Sequence, residues 1–462
     1  MTFKASFVIF IIGLFVGDNP EVKIMLSNIE GRTTILTQKG SSRATAYIDS
    51  NKIIETEEHV FTTYLIYEDG KHFIALKSFS KENKKWSKEI VLDEVNDNHG
   101  GGSLSIDSQG YLHIAYGPHV GPFVYRKSVN PNDIEFFGDP MFVGNNMTYP
   151  SLAIDNNDKI YLLGRHTIIK GKWSLRLFHK NAEDKNWSTG KDILYSNYAN
   201  WPDIKDIKKG DPKYLYVKNG YSRWNKSIVI DKLNNLHITF KNYEYLPRNE
   251  KYSFTNNGNG GSYLIGYLKS EDGGMTWKNK DKLITTPAYP SEIEIIDGNS
   301  DPKKVECNYG ISNLILDKHN TPHVAFSKEY DSTSTFYLAY KKGDIWERKL
   351  INHDKTNQSF MYSPSSISYF DNHFYIVATA INKSNYDRQE LWGKEQRHSF
   401  LQIFKLNSRY KIVKVFSSQD LMVSNPSWLP SLGRGNEYPP KLLFTQGDSK
   451  SNSTVVHYTD LN

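Results

Sequence analysis

One cysteine, Cys307, stands in 462 residues, so no intramolecular disulfide can form and the fold must hold by packing alone. A chain of this length can bury enough surface to do so. No heptad and no sustained helical period of apolar residues runs through it, which excludes a coiled coil and argues against a helical bundle. The net charge of +6 is small beside 57 basic and 51 acidic residues. It favours an anionic ligand without demanding nucleic acid, and no basic stretch interleaved with aromatics has the form of a nucleic-acid module. Long apolar runs are scarce too. The one at the start, from Ala5 to about Val16 behind Lys4, is too short to span a bilayer comfortably. Its order of positive charge, apolar run and polar, acidic change reads as a secretory signal ending near residue 17, with a buried first strand as the alternative. No cysteine follows the run, which disfavours a lipoprotein anchor. The expected destination is the periplasm or the medium, with no membrane anchor after signal removal.

What the chain does have is a recurring phrase. SLSIDSQGYLHIAY from Ser103, SLAIDNNDKIYLLG from Ser151, SIVIDKLNNLHITF from Ser227 and NLILDKHNTPHVAF from Asn313 each read as strand, tight turn and strand. The turn opens on Asp107, Asp155, Asp231 or Asp317. Weaker echoes lie at YIDS near Tyr47 with its continuation VFTTYLIYEDG, at SSISYFDNHFYIVATAI after Ser365 and at LPSLGRGNEYPPKLLFTQ after Leu429, for about seven copies. A small antiparallel sheet cannot bury both faces alone, so such units stack. Aromatic residues at 13% with scattered Gly and Pro suit many short strands. The expectation is an all-β, seven-bladed β-propeller forming one domain over residues 23–462. The C-terminal SNSTVVHYTDLN is expected to complete the blade begun near the mature N-terminus.

SEDGGMTW, Ser270 to Trp277, has the form of the Asp-box hairpin found in sialidase-like propellers, with degenerate relatives ending at Trp86, Trp187 and Trp346. Its Asp and Gly serve turn geometry and its Trp packs between sheets, so these residues read as scaffold. Repetition gives a control. His113, His237 and His323 each fall six residues after their repeat's aspartate, and recurrence argues for packing first. His99, His119, Tyr149, Arg165 and Tyr221 are not repeated and lie where strands begin or end. In NDNHGGG, Asn96 to Gly102, three glycines after a histidine let other groups approach the backbone closely. His99 and His119 belong to two ends of one hairpin and can converge; surface or loop hydrogen bonding is the alternative for each. In IYLLGRHT, Arg165 breaks an apolar strand and shares a face with Tyr161 and Leu163. A buried guanidinium needs an anion, which makes Arg165 a candidate receptor for carboxylate or sulfate unless a neighbouring blade pairs it. Tyr221, in KNGYSRW, holds a comparable pre-strand position one repeat later.

The stretch DNHGGGSLSIDSQGYLHIAYGPHVGPFVYRKS, Asp97 to Ser128, resembles the matching block of propeller-type ulvan lyases within the BNR-repeat group. The likeness continues through TYPSLAIDNNDKIYLLGR, GYSRWNKSIVIDKLNNLHITF and GYLKSEDGGMTW, over about two-thirds of the chain. The Asp-box alone is unspecific; the His-Gly-Gly block followed by Tyr-Gly-Pro-His is much more specific. The resemblance implies a secreted lyase that cleaves ulvan, an anionic sulfated polysaccharide, by β-elimination next to a uronic acid and leaves an unsaturated sugar. It implies His99 and His119 as active-site histidines, Tyr149 as the catalytic tyrosine, Arg165 facing the uronate carboxylate and Tyr221 as a further cleft residue. The arginine triad and nucleophilic Tyr-Glu pair of a sialidase are not apparent.

The elimination needs a neutralised carboxylate, a base for the proton on carbon 5 and an acid for the oxygen leaving carbon 4. Arg165 can meet the first need through paired N–H donors. Proton removal is assigned to His99 and leaving-group protonation to Tyr149, with His119 orienting or sharing the proton; the roles can exchange. No cofactor is required. A structural zinc held by His237, Cys307 and His323 is one reading of those residues, and a buried apolar cysteine with two packing histidines is the other. Two alternatives remain for function: a lyase for another uronate polysaccharide, such as a rhamnogalacturonan or a glycosaminoglycan, and a non-catalytic carbohydrate-binding propeller.

Overall fold

The computed structural model describes residues 25–28 and 33–461, except 170–171, 198–205, 207, 210, 212–220, 247–259, 331–332, 353–359, 383–398, 419–425, 435–436 and 449–452. The expected signal segment, residues 1–17, lies outside the described residues. Strands dominate, and among the described residues no helix is long and apolar enough to cross a membrane.

The strands form five hydrogen-bonded sheets. One begins at Pro426–Leu432 and passes through Lys441–Asp448 and Ser453–Asp460 to Thr33–Gly40, then on to His59–Glu68 and Lys71–Ser80. The last long strand of the chain therefore pairs with one of the first, Thr33 opposite Thr459 and Ile35 opposite His457, as the C-terminal alternation predicts. A second sheet runs without a break from Ser103–Ile106 to Lys191–Tyr195. Three more follow in chain order: Ser222–Ile230 to Glu294–Gly298, Asn308–Leu316 to Ile345–Asn352, and Phe360–Phe370 to Ile412–Ser417.

The recurring aspartates make these hairpins. In each turn one carboxylate oxygen accepts two backbone N–H groups, those of Gln109 and Tyr111 for Asp107, Asn157 and Lys159 for Asp155, Leu233 and Asn235 for Asp231, and His319 and Thr321 for Asp317. The residue three further on is left-handed, with φ of +85° at Gly110, +59° at Asp158, +64° at Asn234 and +61° at Asn320, which is why Gly, Asp and Asn stand there. A fifth copy appears that the sequence pattern misses: Asn407 accepts from the N–H groups of Arg409 and Lys411. An amide oxygen serves where the motif has a carboxylate. The echo at YIDS is corrected in its first part, while its continuation VFTTYLIYEDG lies on the strand His59–Glu68. Residues 47–50 form turns rather than a strand, and Asp49 is spent on an ion pair with Lys226.

In two copies the opening residue reaches the strand that opens a following unit. Ser103 accepts the N–H of Leu152, and Asn313 accepts that of Ile367 while donating to its carbonyl. Apolar side chains fill the spaces between successive sheets: Leu65, Ile74 and Leu76 meet Leu104, Leu112 and Ile114, and Phe336 and Leu338 meet Ile376 and Phe404. In the Asp-box hairpin Ser270 accepts from the N–H of Gly274, Asp272 from that of Thr276, and Trp277 is fully buried. Trp86, Trp187 and Trp346 pack edge-on against Tyr458, Tyr125 and Tyr267. These motifs build the scaffold, as their recurrence implies.

Candidate active site

The five non-repeated residues draw together with groups from neighbouring segments. The loop 41–52 is a series of tight turns, with Ala44 N bonded to Ser41 O and Ala46 N to Arg43 O, which turns Arg43 and Tyr47 toward the sheet ends. The loop 96–102 delivers Asp97 and His99. His119 opens the strand His119–Lys127, after Gly117, with φ +48°, and Pro118 break the preceding strand Leu112–Tyr116. His119 is thus not on the strand of His113, yet the break still carries it to His99.

The two imidazoles stack at 4.2 Å between centroids. One carboxylate holds both: Asp97 Oδ1 lies 3.0 Å from Nδ1 of His99 and Oδ2 lies 2.8 Å from Nδ1 of His119. Arg43 donates to Nε2 of His99 at 2.6 Å and to the Tyr47 hydroxyl. A guanidinium cannot accept, so Nε2 of His99 carries a lone pair and its proton sits on Nδ1. Burial holds the His99 pKa below the usual histidine value, opposed by Asp97 and helped by Arg43. Asp97 is held well below the carboxylate range, because the hydrogen bonds from His119 and His99 outweigh burial.

Tyr149 comes next, its ring centroid 6.0 Å from His99 and 5.0 Å from Tyr47. It sits at a break in the pairing of Met141–Ile154 with Ile160–Ile169, in the left-handed region at φ +61°, a position that strains a bulky side chain. Lys226 Nζ secures it, donating to the Tyr149 carbonyl at 2.6 Å and to Asp49 at 2.7 Å. Both charged side chains of that pair are wholly buried.

Arg165, 2% exposed, lies between two phenol rings, 5.2 Å from the centroids of Tyr149 and Tyr221. It donates to the Tyr221 hydroxyl at 2.9 Å and to Thr148 at 3.4 Å. Sequence reasoning leaves Arg165 as a receptor for carboxylate or sulfate or as the partner of an acid from a neighbouring blade; among the described residues it has no carboxylate partner, and the tyrosines surround it instead. Arg223, on the strand Ser222–Ile230 that Tyr221 precedes, stands 4.5 Å over Tyr149 and 4.6 Å over Tyr47. Burial pushes the Tyr149 phenol well above the ordinary tyrosine value despite Arg223 and Arg165. Burial also acts to raise Tyr221, but Arg165, Arg223 and a hydrogen bond from Tyr149 outweigh it, so Tyr221 is the more acidic of the pair. The arrangement is a protonated phenol beside an acidic one, under two guanidiniums, facing an imidazole pair.

Arg43, Tyr47, Asp97 and Arg223 are absent from the sequence-derived site. Asp97 and Arg223 each lie two residues from a chosen residue, and that spacing was the available signal. Arg43 and Tyr47 belong to a stretch that reads as a repeat.

The zinc reading does not fit. His237 and His323 occupy corresponding positions of successive hairpins, but Cys307 precedes Asn308, which pairs with Glu329, whereas His323 pairs with Ile315 at the other end of the same hairpin. Six residues of strand separate the two ends, about 20 Å. Both His237 nitrogens are occupied, by Tyr267 at 2.6 Å and Asp231 at 3.2 Å. His113 repeats that arrangement with Tyr125 and Asp107. His323 bonds the Thr321 carbonyl and Tyr410, and burial pushes the Cys307 thiol up to about 11, away from the thiolate a metal needs. Among the described residues, one His/Cys/Asp/Glu group has donor atoms within 4.8 Å of one another: Asp97, His99 and His119. Both Nδ1 atoms are committed to the carboxylate and Arg43 takes Nε2 of His99, setting a positive charge against the group, so it reads as a hydrogen-bonded unit.

A model of the BNR repeat-containing family matches residues 60–354, well over half of the chain. The chain belongs to the BNR repeat-containing family. Two curated relatives are ulvan lyases. That of Nonlabens ulvanivorans is 28% identical over 141 residues, covering 25% of this chain and 30% of the relative. That of Alteromonas sp. (strain LOR) is 23% identical over 183 residues, covering 34% and 36%. The matches thus span about a third of each relative. Among solved structures, a polysaccharide lyase of family PL25, an ulvan lyase bound to -[GlcA(1-4)Rha3S]-, superposes with a TM-score of 0.66 at 12% identity, over 93% of this chain and 96% of that one. The polysaccharide lyase Uly1 gives 0.57 at 14% identity, over 93% and 99%. The fold is therefore that of the propeller ulvan lyases, as the His-Gly-Gly block suggests.

Proposed function

We propose that this protein is a secreted polysaccharide lyase that cleaves ulvan by β-elimination at the bond to a uronic acid, leaving an unsaturated uronate at the new non-reducing end. The observation that carries the reading is the convergence of His99, His119, Tyr149, Arg165 and Tyr221, chosen from sequence, in one cationic cluster. Partial alignment with two ulvan lyases and the shared fold support it.

The cluster supplies each requirement of the elimination. Arg43 and Arg223, both partly exposed, can neutralise the uronate carboxylate together with the buried charge of Arg165, which makes the proton on carbon 5 acidic. Arg43 occupies Nε2 of His99, so the roles expected for the histidines exchange: His119 is the imidazole with an uncommitted acceptor among the described residues. It removes the proton, the electron pair forms the double bond between carbons 4 and 5, and the bond from carbon 4 to oxygen breaks. Tyr149, held protonated by burial, gives its proton to that oxygen. Its phenolate then lies under Arg223 and beside Tyr221, which can return a proton.

The sheets also support a ring of seven blades in a single domain. Met141–Ile154 pairs by its first half with His119–Lys127 and by its second with Ile160–Ile169, and Thr33–Gly40 touches His59–Glu68 only at Gly40 opposite Ile66. Dividing the two largest sheets at these strands gives seven groups.

Incubation with ulvan, then with a rhamnogalacturonan and glycosaminoglycans, tests the reading through the ultraviolet absorbance of the unsaturated product. Absorbance with ulvan supports it, and absorbance with another polyuronate alone reassigns the substrate. New reducing ends without the chromophore indicate a hydrolase, and binding without product indicates a carbohydrate-binding propeller.

A further inference from the structure

We propose that Asp97 is a positioning residue that fixes both imidazoles as Nδ1–H tautomers and so leaves the Nε2 lone pair of His119 as the site's acceptor. Its consequence for turnover rests on the lyase reading, whereas the tautomers themselves do not.

The inference follows from counting donors. Asp97 Oδ1 receives the His99 backbone N–H at 2.7 Å and His99 Nδ1 at 3.0 Å, and Oδ2 receives His119 Nδ1 at 2.8 Å. A carboxylate only accepts, so each imidazole must present an N–H to it. For His99 the same answer comes independently from the other side of the ring, where Arg43 donates to Nε2. For His119, 35% exposed, Nε2 has no partner among the described residues. One carboxylate thus sorts two stacked rings, one capped by a cation and one open. It also places a negative charge beside a pair of imidazoles that would repel each other if both were protonated.

Asp97→Asn keeps the shape and removes the symmetry. The amide oxygen is held on the His99 side by two N–H donors, so the amide NH₂ faces His119 and can be met only by a lone pair on Nδ1. His119 must then carry its proton on Nε2. Nitrogen-15 NMR of the histidine side chains, without substrate, is expected to show Nδ1–H for both rings in the wild type and Nε2–H for His119 in the variant. On ulvan, kcat is expected to fall on the order of 10²- to 10⁴-fold with KM little changed, as when a catalytic imidazole is forced into the wrong tautomer. The acid limb of the kcat/KM profile moves to lower pH, since loss of the carboxylate removes the negative charge facing His99, whose other charged or titratable neighbours are His119, Arg43, Tyr47 and Tyr149. Asp97→Glu serves as the folding control and should retain both Nδ1–H tautomers. Unchanged tautomers in Asp97→Asn, or Nε2–H in the wild type at either ring, overturn the proposal whatever the substrate. The predicted tautomers with wild-type kcat overturn only the catalytic consequence.

Discussion

The most exacting prediction concerns Lys226, which touches no substrate in the proposed chemistry. Its ammonium binds Asp49 at 2.7 Å and the Tyr149 carbonyl at 2.6 Å, inside the protein where neither charged side chain is exposed. Lys226→Met keeps most of the volume and removes the charge. Asp49 is then a buried carboxylate without its cation, and its Oδ2 already has no hydrogen-bond partner. Breaking a buried pair from one side costs about 3–5 kcal/mol. With an unfolding entropy of roughly 2.1 cal/mol/K per residue, 462 residues give about 1 kcal/mol per kelvin, so Tm should fall by only about 3–5 °C. Activity should fall more steeply. The Tyr149 carbonyl is the anchor of a backbone held at φ +61°, a conformation that itself costs about 1–3 kcal/mol. Without Lys226 the peptide can relax and the phenol leave Tyr221.

The assay is a double-mutant cycle. Lys226→Met, Asp49→Leu and the pair are compared by thermal melting and by kcat on ulvan. The double variant should recover most of the lost stability, because no unpaired charge remains. It should not recover kcat, because the anchor on Tyr149 is still missing. Recovery of both would mean that Lys226 acts only through Asp49, and wild-type kcat in Lys226→Met would refute the anchoring argument outright.

Tyr149→Phe should lower kcat by about 10²- to 10⁴-fold with a Tm within a few degrees of wild type, and full activity would remove Tyr149 from the mechanism. Arg165→Lys should be severely impaired as well, since a point charge cannot bond Tyr221 and Thr148 together, and the Tyr221 phenol should become less acidic in an ultraviolet titration. Acidification should protonate His99, whose pKa burial holds below the usual histidine value, and expel Arg43 from its Nε2; loss of kcat/KM on the acid limb reads this. Lys52, fully buried with its pKa pushed down to about 7 by burial and by Arg434, makes stability rise with pH. Between about pH 7 and its unfolded value of 10.5 the unfolded chain binds the extra proton, so denaturant melts should strengthen from pH 7.5 to 9.5 and Lys52→Met should flatten that slope.

The hairpins were legible because their chemistry is local. An aspartate that accepts two N–H groups within four residues, followed by a left-handed position, leaves the same mark wherever it occurs, and only Asn407 escaped by using an amide. The site was half legible for the same reason turned round. His99, His119, Tyr149 and Arg165 stood out because they break a repeated register. Arg43, Tyr47 and Asp49 did not, because their stretch looks like a copy of the register while folding as turns whose partners, His99, Tyr149 and Lys226, are 56, 102 and 177 positions away. Cys307 and His323 failed in the opposite direction: they are close along the chain, yet the hairpin holds them at opposite ends.

The same contrast explains why the cluster is cationic. Arg43, Arg165, Arg223 and Lys226 gather around two acids, Asp49 and Asp97, and each acid is already committed, one to Lys226 and one to the histidines. The guanidiniums of Arg165 and Arg223 lean on tyrosine rings instead. A phenol face offers a cation about 0.5–2 kcal/mol, less than the desolvation that burial imposes on it. Elsewhere in the fold partly buried cations find carboxylates, as Lys341 finds Glu294 and Arg176 finds Asp192. At this site positive charge is left in excess, with aromatic walls that suit a sugar. Under the proposed lyase reading, an acidic sugar supplies the balancing charge when it binds, so its affinity should fall as these guanidiniums are removed.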